Sequence, residues 1–392
     1  MEIALRYGAD AVYLSGQFYG LRASAGNFSQ KELAEAVDYV HGLGKKIYVT
    51  VNIFAHNTDL NGVPQYLAQL EDYGVDAIIV SDPGIIMLAK KYAPRLTIHL
   101  STQANTTNWA STSFWKEEGI ARIVLSRELS LSEIKVIANR NPDMEIEAFV
   151  HGAMCMSYSG RCMLSSFLTG KSANHGECTH PCRWKYYLME EKRPGEYMPV
   201  LEDDRGAYIF NSKDLCMIEH IPELINSGID SFKIEGRMKS IHYVATVVKA
   251  YRQAIDSYYT NPAKYLFQQN WLEELEKVSD REYTTGFYFH KPNSTDHNYE
   301  KTKLERPYDF VGLVLSYDEN KNVALVQQRN KFSVGDVLEV FGPHTETTSF
   351  IVTEMYDDKD TAIESAPHPL QRVFLKVEIP LEPYAMLRVK KR

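Results

Sequence analysis

A helical stretch that stops at glycine and passes directly into a short apolar run recurs along the first 235 residues, and this alternation constrains the fold most strongly. Tyr7-Gly8-Ala9-Asp10 precedes AVYLS, Leu43-Gly44 precedes KKIYVTVN, and Tyr73-Gly74-Val75-Asp76 precedes AIIVSD. Glu118-Gly119 precedes ARIVLS, and Ser227-Gly228-Ile229-Asp230 precedes SFKIEG. Glycine just past a helix takes the left-handed backbone that turns the chain into a strand. The apolar runs are continuous instead of alternating, as expected for parallel strands buried on both faces. With LTIHLS and MEIEAFV they predict seven strands, at 11–15, 47–52, 77–81, 97–101, 121–125, 145–150 and 231–235. Helices are predicted between them, at 30–43, 62–73, 83–93, 107–118 and 131–139. The fold class is therefore α/β, a (β/α)8 TIM-like barrel lacking its first strand, since the chain opens in a helix. An open doubly wound sheet, which needs no eighth strand, is the alternative.

The rhythm breaks between 151 and 228, where the strand at 145–150 runs into a long insertion with short antiparallel segments YYLMEE, YMPVLED and AYIFNS. A helix at 241–259 closes the barrel region. Residues 1–260 thus form the barrel with its insertion, 261–305 a polar connector, and 306–392 a β-rich module. That module reads as DFVGLVLSY, NVALVQQ, DVLEVFG, SFIVTEMY, RVFLKVE and MLRVKK between turns, which predicts a small antiparallel β-barrel.

Four of the five cysteines fall within 28 residues, spaced Cys155-x6-Cys162-x15-Cys178-x3-Cys182. Four thiolates suffice for a [4Fe–4S] or [2Fe–2S] cluster or for tetrahedral zinc. Only CTHPC resembles one of the short knuckles usual in structural zinc sites. Cys216, in KDLCMIEHIPEL, is expected in the core of an amphipathic helix. The formal net charge of −8 excludes a protein that coats nucleic acid non-specifically, so any RNA contact must be local. No run approaches the roughly 18 apolar residues of a membrane span, and no signal peptide is visible, so no membrane partner and a cytoplasmic location are expected.

EAFVHGAMC (147–155), continuing to Ser159-Gly160-Arg161-Cys162, resembles the signature of the collagenase-like peptidase family of unknown catalytic type. The likeness extends over GADAVYLSG, NSKDLCMIEHIPEL, SFKIEGRMKS and REYTTGFYF, spanning the barrel and connector, and is greatest to the family's tRNA hydroxylation proteins. That resemblance implies an iron–sulfur cluster, 4Fe–4S, on Cys155, Cys162, Cys178 and Cys182. It implies prephenate as co-substrate, the tRNA anticodon loop as target, 5-hydroxyuridine at the wobble position as product, and a paralogous family member as a partner. The alternatives are proteolysis, as the family's older label has it, and 23S rRNA hydroxylation. Neither an HExxH zinc motif nor a GxSxG nucleophile elbow is present.

Chemistry in such barrels collects at the C-terminal ends of strands. Those positions hold Asn52 and His56, Asp82, Ser101 and Gln103, Arg127 and Glu128, His151, and Lys233, Glu235 and Arg237, with Arg22 in the first loop. His151, Glu235, Asn52 and Gln103 are the candidate catalytic residues. Arg22, Arg127, Lys233 and Arg237 are the candidate ligands for the two carboxylates of prephenate, because a guanidinium binds a carboxylate bidentately. His151, four residues before Cys155, is a candidate proton donor, and the tail Arg388, Lys390, Lys391 and Arg392 a candidate tRNA contact.

Overall fold

The computed structural model describes residues 1–20, 26–154, 162, 164–171, 178–183, 187–188, 195, 198–199, 213–237, 239–291 and 306–391. After the short helix α1 (Glu2–Arg6), six parallel strands follow in chain order: β1 (Ala11–Leu14), β2 (Lys46–Val51), β3 (Ala77–Val80), β4 (Ile98–Leu100), β5 (Arg122–Val124) and β6 (Glu145–Ala153). Each of the first five is followed by a helix: α2 (Gln30–Gly42), α3 (Val63–Asp72), α4 (Pro83–Tyr92), α5 (Trp109–Glu117) and α6 (Leu131–Arg140). Local chemistry sets these starts. Ser29 and Ser130 each form a capping box with a glutamate three residues on, and Asp82 and Asn108 cap α4 and α5. Asp82 therefore satisfies the backbone N–H of Ile85 at a helix start and is not a site residue.

In the insertion lie α7 (Leu164–Thr169) and the hairpin β7 (Tyr187–Leu188) with β8 (Met198–Pro199). AYIFNS (207–212) lies outside the described residues. The chain returns through β9 (Asp214–Cys216), which pairs antiparallel with the extended end of β6, His151 opposite Cys216. Cys216 is thus a strand residue, a correction to the helix expected there. The helical pattern starts later, at α8 (Ile221–Asn226), because pairing with β6 claims the backbone of 214–216. Then β10 (Ser231–Ile234) pairs parallel with β6, and α9 (Ile241–Thr260) and α10 (Gln269–Glu276) follow. β11 (Tyr283–Thr284) extends β9.

Side chains alternate across each strand. Val12, Leu14, Ile47, Val49, Ile78, Val80, Ile123 and Ile146 point outward into the main core beneath the helices. Tyr13, Tyr48, Ala77 and Ile79 form a small cluster on the inner face. Among the described residues no helix is long and apolar enough to cross a membrane.

The C-terminal module contains β12 (Tyr308–Asp318), β13 (Val323–Gln328), β14 (Phe332–Ser333), β15 (Val337–Phe341), β16 (Thr348–Ile351), β17 (Met355–Tyr356), β18 (Ser365–Ala366), β19 (Arg372–Lys376) and β20 (Met386–Lys390). Seven of them form an antiparallel sheet in the order β16-β15-β20-β12-β13-β19-β17, and β14 pairs with β18. An apolar seam of Ile3, Tyr7, Ala245, Val248, Leu313, Phe341 and Met386 joins module to barrel. Arg388, fully buried, lies on that seam and pairs with Glu274 (2.7 Å) of α10 and Glu339 (2.8 Å). Its expected role as a tRNA contact is therefore corrected: a guanidinium shielded from solvent and neutralised by two carboxylates fastens the two units. Lys391 pairs with Asp309 (3.3 Å), and Arg392 lies outside the described residues.

Candidate functional site

The inner face of the barrel carries charge. Lys233 Nζ lies 2.6 Å from Glu147 Oε1, Arg122 Nη1 lies 3.1 Å from Glu147 Oε2, and Ser231 Oγ donates to the same carboxylate at 2.9 Å. Burial alone would raise the Glu147 carboxyl, but the Lys233 ammonium, helped by Arg122, outweighs it and holds the group at about 2. Lys233 also sits 4.3 Å from the centre of the Tyr13 ring. Its charge is spent inside the barrel wall, which removes it from the expected carboxylate ligands. Burial, then Arg122, pushes the neighbouring His99 imidazole down to about 3. Sequence reasoning missed this layer. Its signal was the every-second-residue placement of Glu145, Glu147, Phe149 and His151 on β6 within an apolar run.

Above this layer the strand ends meet at the mouth. Asn52 Nδ2 donates to Gln103 Oε1 (3.2 Å) and to Ser101 Oγ (3.4 Å), so the ends of β2 and β4 are joined by an amide–hydroxyl network. Thr106, Ser126 and Asn105, none of them expected, bring buried side-chain oxygens without hydrogen-bond partners among the described residues, as does Asn52 through Oδ1. Arg127 stacks 3.9 Å above the centre of the Phe149 ring and donates from Nη1 to Ala153 O (3.1 Å), while its buried Nε has no partner among the described residues. Among the described residues no carboxylate pairs with it. Glu235 accepts from the Tyr13 hydroxyl (2.9 Å) and from the Arg237 backbone N–H (3.2 Å); Arg237 Nη2 donates to Asn27 (3.0 Å). Gly152, at φ 116°, makes this corner possible: a Cβ there would stand 2.9 Å from Glu235 Cβ and from its carbonyl oxygen. The structure thus brings Asn52, Gln103, Arg127, Glu235 and Arg237 to one end of the barrel. Arg22 lies outside the described residues.

His151 sits below that mouth, 1% exposed, with its ring centre 5.3–5.9 Å from those of Tyr243, Tyr251 and Tyr283. Burial, with the Lys239 charge second, pushes it down to about 3, so it is a neutral imidazole near pH 7. Desolvation in an aromatic box thus disfavours the imidazolium form of this candidate proton donor.

Three cysteines of the expected set are described. Cys162, Cys178 and Cys182 are in no disulfide and of intermediate exposure, with α7 between the first two; Cys155 lies outside the described residues. Leu164 N–H donates to Cys162 Sγ (3.4 Å). Among the described residues no three His, Cys, Asp or Glu side chains stand at metal-ligand spacing. The donors nevertheless suit an iron–sulfur cluster in kind: thiols, none of the described three in a disulfide, in the segment of chain that follows β6. Cys216, by contrast, is buried, and burial pushes its thiol up to about 12.

Parallel strands wound by helices, a polar mouth at their C-terminal ends and a docked antiparallel module together define a barrel protein with an appended β-domain. The chain belongs to peptidase family U32: the family's model matches residues 1–298, and that of the family's C-terminal domain matches residues 306–388. It is 45% identical over 388 residues (99% of this chain, 92% of the relative) to tRNA hydroxylation protein P1 of Bacillus subtilis. It is 40% identical over 428 residues (99% and 93%) to tRNA hydroxylation protein P of Escherichia coli. With the 23S rRNA 5-hydroxycytidine C2501 synthase of Escherichia coli it shares 38% identity over 260 residues, 65% of this chain and 37% of that relative.

Proposed function

We propose that this protein hydroxylates tRNA, forming 5-hydroxyuridine at the wobble position in a prephenate-dependent reaction. Full-length similarity to two tRNA hydroxylation proteins supports tRNA over rRNA as substrate, because the rRNA synthase is matched over only 37% of its length. The observation that carries the small-molecule half is Arg127: a guanidinium fixed over Phe149 at the barrel mouth, with no carboxylate among the described residues to neutralise it. A dicarboxylic acid answers that charge, and the planar fork orients it. Arg237, tied to Asn27 just beyond the end of β10, would be the partner for a second carboxylate. Asn52 and Gln103 offer an amide pair to a polar edge of the bound pyrimidine or acid. Cys155, Cys162, Cys178 and Cys182 would hold the iron–sulfur cluster, which supplies one-electron chemistry when bound. An anticodon nucleotide already stands in a loop, so presenting its base costs less than extrusion from a duplex. A paralogous family member remains a partner on this reading, and the cytoplasm the site of action.

The test is prephenate-dependent formation of 5-hydroxyuridine on unmodified tRNA, followed by nucleoside mass spectrometry, with Arg127→Ala and Arg127→Lys. Loss of the bidentate contact should raise the KM for prephenate by roughly 10- to 100-fold, corresponding to the 1.5–3 kcal/mol of a charge-assisted bond, with Lys recovering part of it. Unchanged prephenate dependence in both variants would refute the assignment.

A further inference from the structure

Three neighbouring strands of the C-terminal module, β13, β19 and β17, bury one face and leave the other uncovered. Val326, Val373, Leu375 and Met355 point into the module core. Strand alternation turns Gln327 on β13, Arg372, Phe374 and Lys376 on β19, and Tyr356 on β17 the other way. Gln327 stands opposite Arg372, and Tyr356 opposite Phe374. Arg329, just past the end of β13, joins them, its Nη2 donating to Gln327 Oε1 (2.8 Å). Arg372 and Lys376 are exposed, and both rings are half-buried.

The cations of this face are not neutralised. Arg388, Lys277 and Lys391, at or beside the seam, each meet a carboxylate. Among the described residues Arg329, Arg372 and Lys376 meet none: Lys376 Nζ reaches the carbonyl of Lys321 (3.0 Å), and the buried Nε of Arg329 has no partner. Burial, with no charge opposing it, lowers the pKa of Arg329. Glu354 on the same strands is held by the Tyr356 hydroxyl (2.8 Å). A chain of net charge −8 thus keeps three uncompensated cations beside two rings. The face also lies next to the mouth. Asn330 Nδ2 donates to Phe310 O (2.8 Å), and the Phe310 ring stacks on His242 of α9 at 5.1 Å. Asn330 shares a cavity of about 160 Å³ with Ser240, the N-cap of α9, three residues after Arg237. From Arg329 back to Val323, level with Lys376, the chain runs six residues. That is about 20 Å at a strand's rise, the length of about six stacked nucleotides.

We propose that this face carries the anticodon arm of the tRNA, with Arg329, Arg372 and Lys376 on backbone phosphates and Phe374 and Tyr356 against an unpaired base. Phosphates supply the missing counter-charge, and every base has a π-face to lay on a ring. Contacts of this kind position the RNA without reading its sequence, and the end of the face at Arg329 delivers the loop to the turn that carries Arg237. The inference rests on the hydroxylase reading and adds to it the surface that holds the substrate.

The test is binding of a fluorescently labelled anticodon stem-loop to the full-length protein, followed by anisotropy over a range of salt. Replacing both exposed cations, Arg372→Ala with Lys376→Ala, removes two phosphate contacts. The slope of log affinity against log salt should fall by about 1.4–1.8. With the electrostatic contribution vanishing at about 1 M, affinity at about 0.1 M should drop roughly 25- to 60-fold. Lys91→Glu, exposed in the last turn of α4 at the far end of the barrel, changes the net charge by the same amount and should leave both unaltered. Phe374→Leu keeps the apolar bulk but removes the ring, and should weaken binding roughly fivefold or more at an unchanged slope. In the hydroxylation assay the double variant should raise the KM for tRNA and keep that for prephenate. Wild-type affinity in the double variant or in Phe374→Leu, or an equal loss in Lys91→Glu, would overturn this surface and leave the hydroxylase reading standing. A wild-type protein that neither binds nor modifies tRNA would remove both.

Discussion

Glu147→Gln is the most informative single change in the barrel interior. The carboxylate stands between Lys233 Nζ at 2.6 Å and Arg122 Nη1 at 3.1 Å, with 4% of its surface exposed. Replacing it with an amide leaves the Lys233 ammonium, 8% exposed, without its counter-charge. Breaking one side of such a buried pair costs about 3–5 kcal/mol. The pH dependence gives an independent figure. Folding lowers the carboxyl from 4.5 to about 2, worth about 3 kcal/mol at roughly 1.4 kcal/mol per pH unit. Between those two values the unfolded chain binds more protons than the native one, so stability rises with pH through the window and is lost as pH falls through it. By pH 3 about 2 kcal/mol of this contribution is gone. All four tryptophans, Trp109, Trp115, Trp184 and Trp271, precede the C-terminal module, so tryptophan fluorescence in urea reports the barrel unit. The expected result is a large gap between wild type and Glu147→Gln at pH 7 that shrinks by about 2 kcal/mol at pH 3. Adding Lys233→Met should restore more than half of the loss, because the orphaned charge is removed with it. A gap equal at both pH values, or no rescue by the second substitution, would refute the reasoning.

Three further outcomes follow from the same geometry. In protein stripped of metal by a chelator, alkylation should label Cys162, Cys178 and Cys182 quickly and spare Cys216, whose buried thiol is pushed up to about 12; peptide mapping by mass spectrometry reads this directly. His151, pushed down to about 3, should show no titration in its imidazole NMR signals between pH 5 and 8, and an ionisation in that range would contradict the aromatic enclosure. Arg388→Met leaves Glu274 and Glu339 facing each other across the seam with Lys277 as remaining counter-charge, and should cost about 3 kcal/mol of coupling between the units. Calorimetry should then resolve two unfolding transitions in place of one, and a single unshifted transition would count against the seam as described.

Much of the architecture was legible in one dimension because its determinants are local. Glycines such as Gly44 and Gly74, at φ 67° and 76°, end helices for reasons contained in a few residues, and the apolar runs after them can only be buried strands. Ser29 and Ser130 likewise announce α2 and α6 through their capping glutamates. The clustering of four cysteines, too, is a property of spacing alone. What the linear order hid were partnerships between residues far apart. Lys233 and Arg127 look alike as cations at strand ends, yet one meets Glu147, 86 residues away, and the other meets an aromatic ring. His151 reads as an acid–base group until the tyrosines at 243, 251 and 283 close around it and desolvation removes its charge. Arg388 reads as a basic tail until Glu274, 114 residues earlier, claims it. Local propensity and periodicity are written in neighbouring residues, so sequence determined the barrel rhythm and the thiol cluster. Charge, by contrast, takes its meaning from whatever surrounds it, and only tertiary structure decided that Lys233 and Arg388 are spent in the scaffold while Arg127 has no carboxylate partner among the described residues.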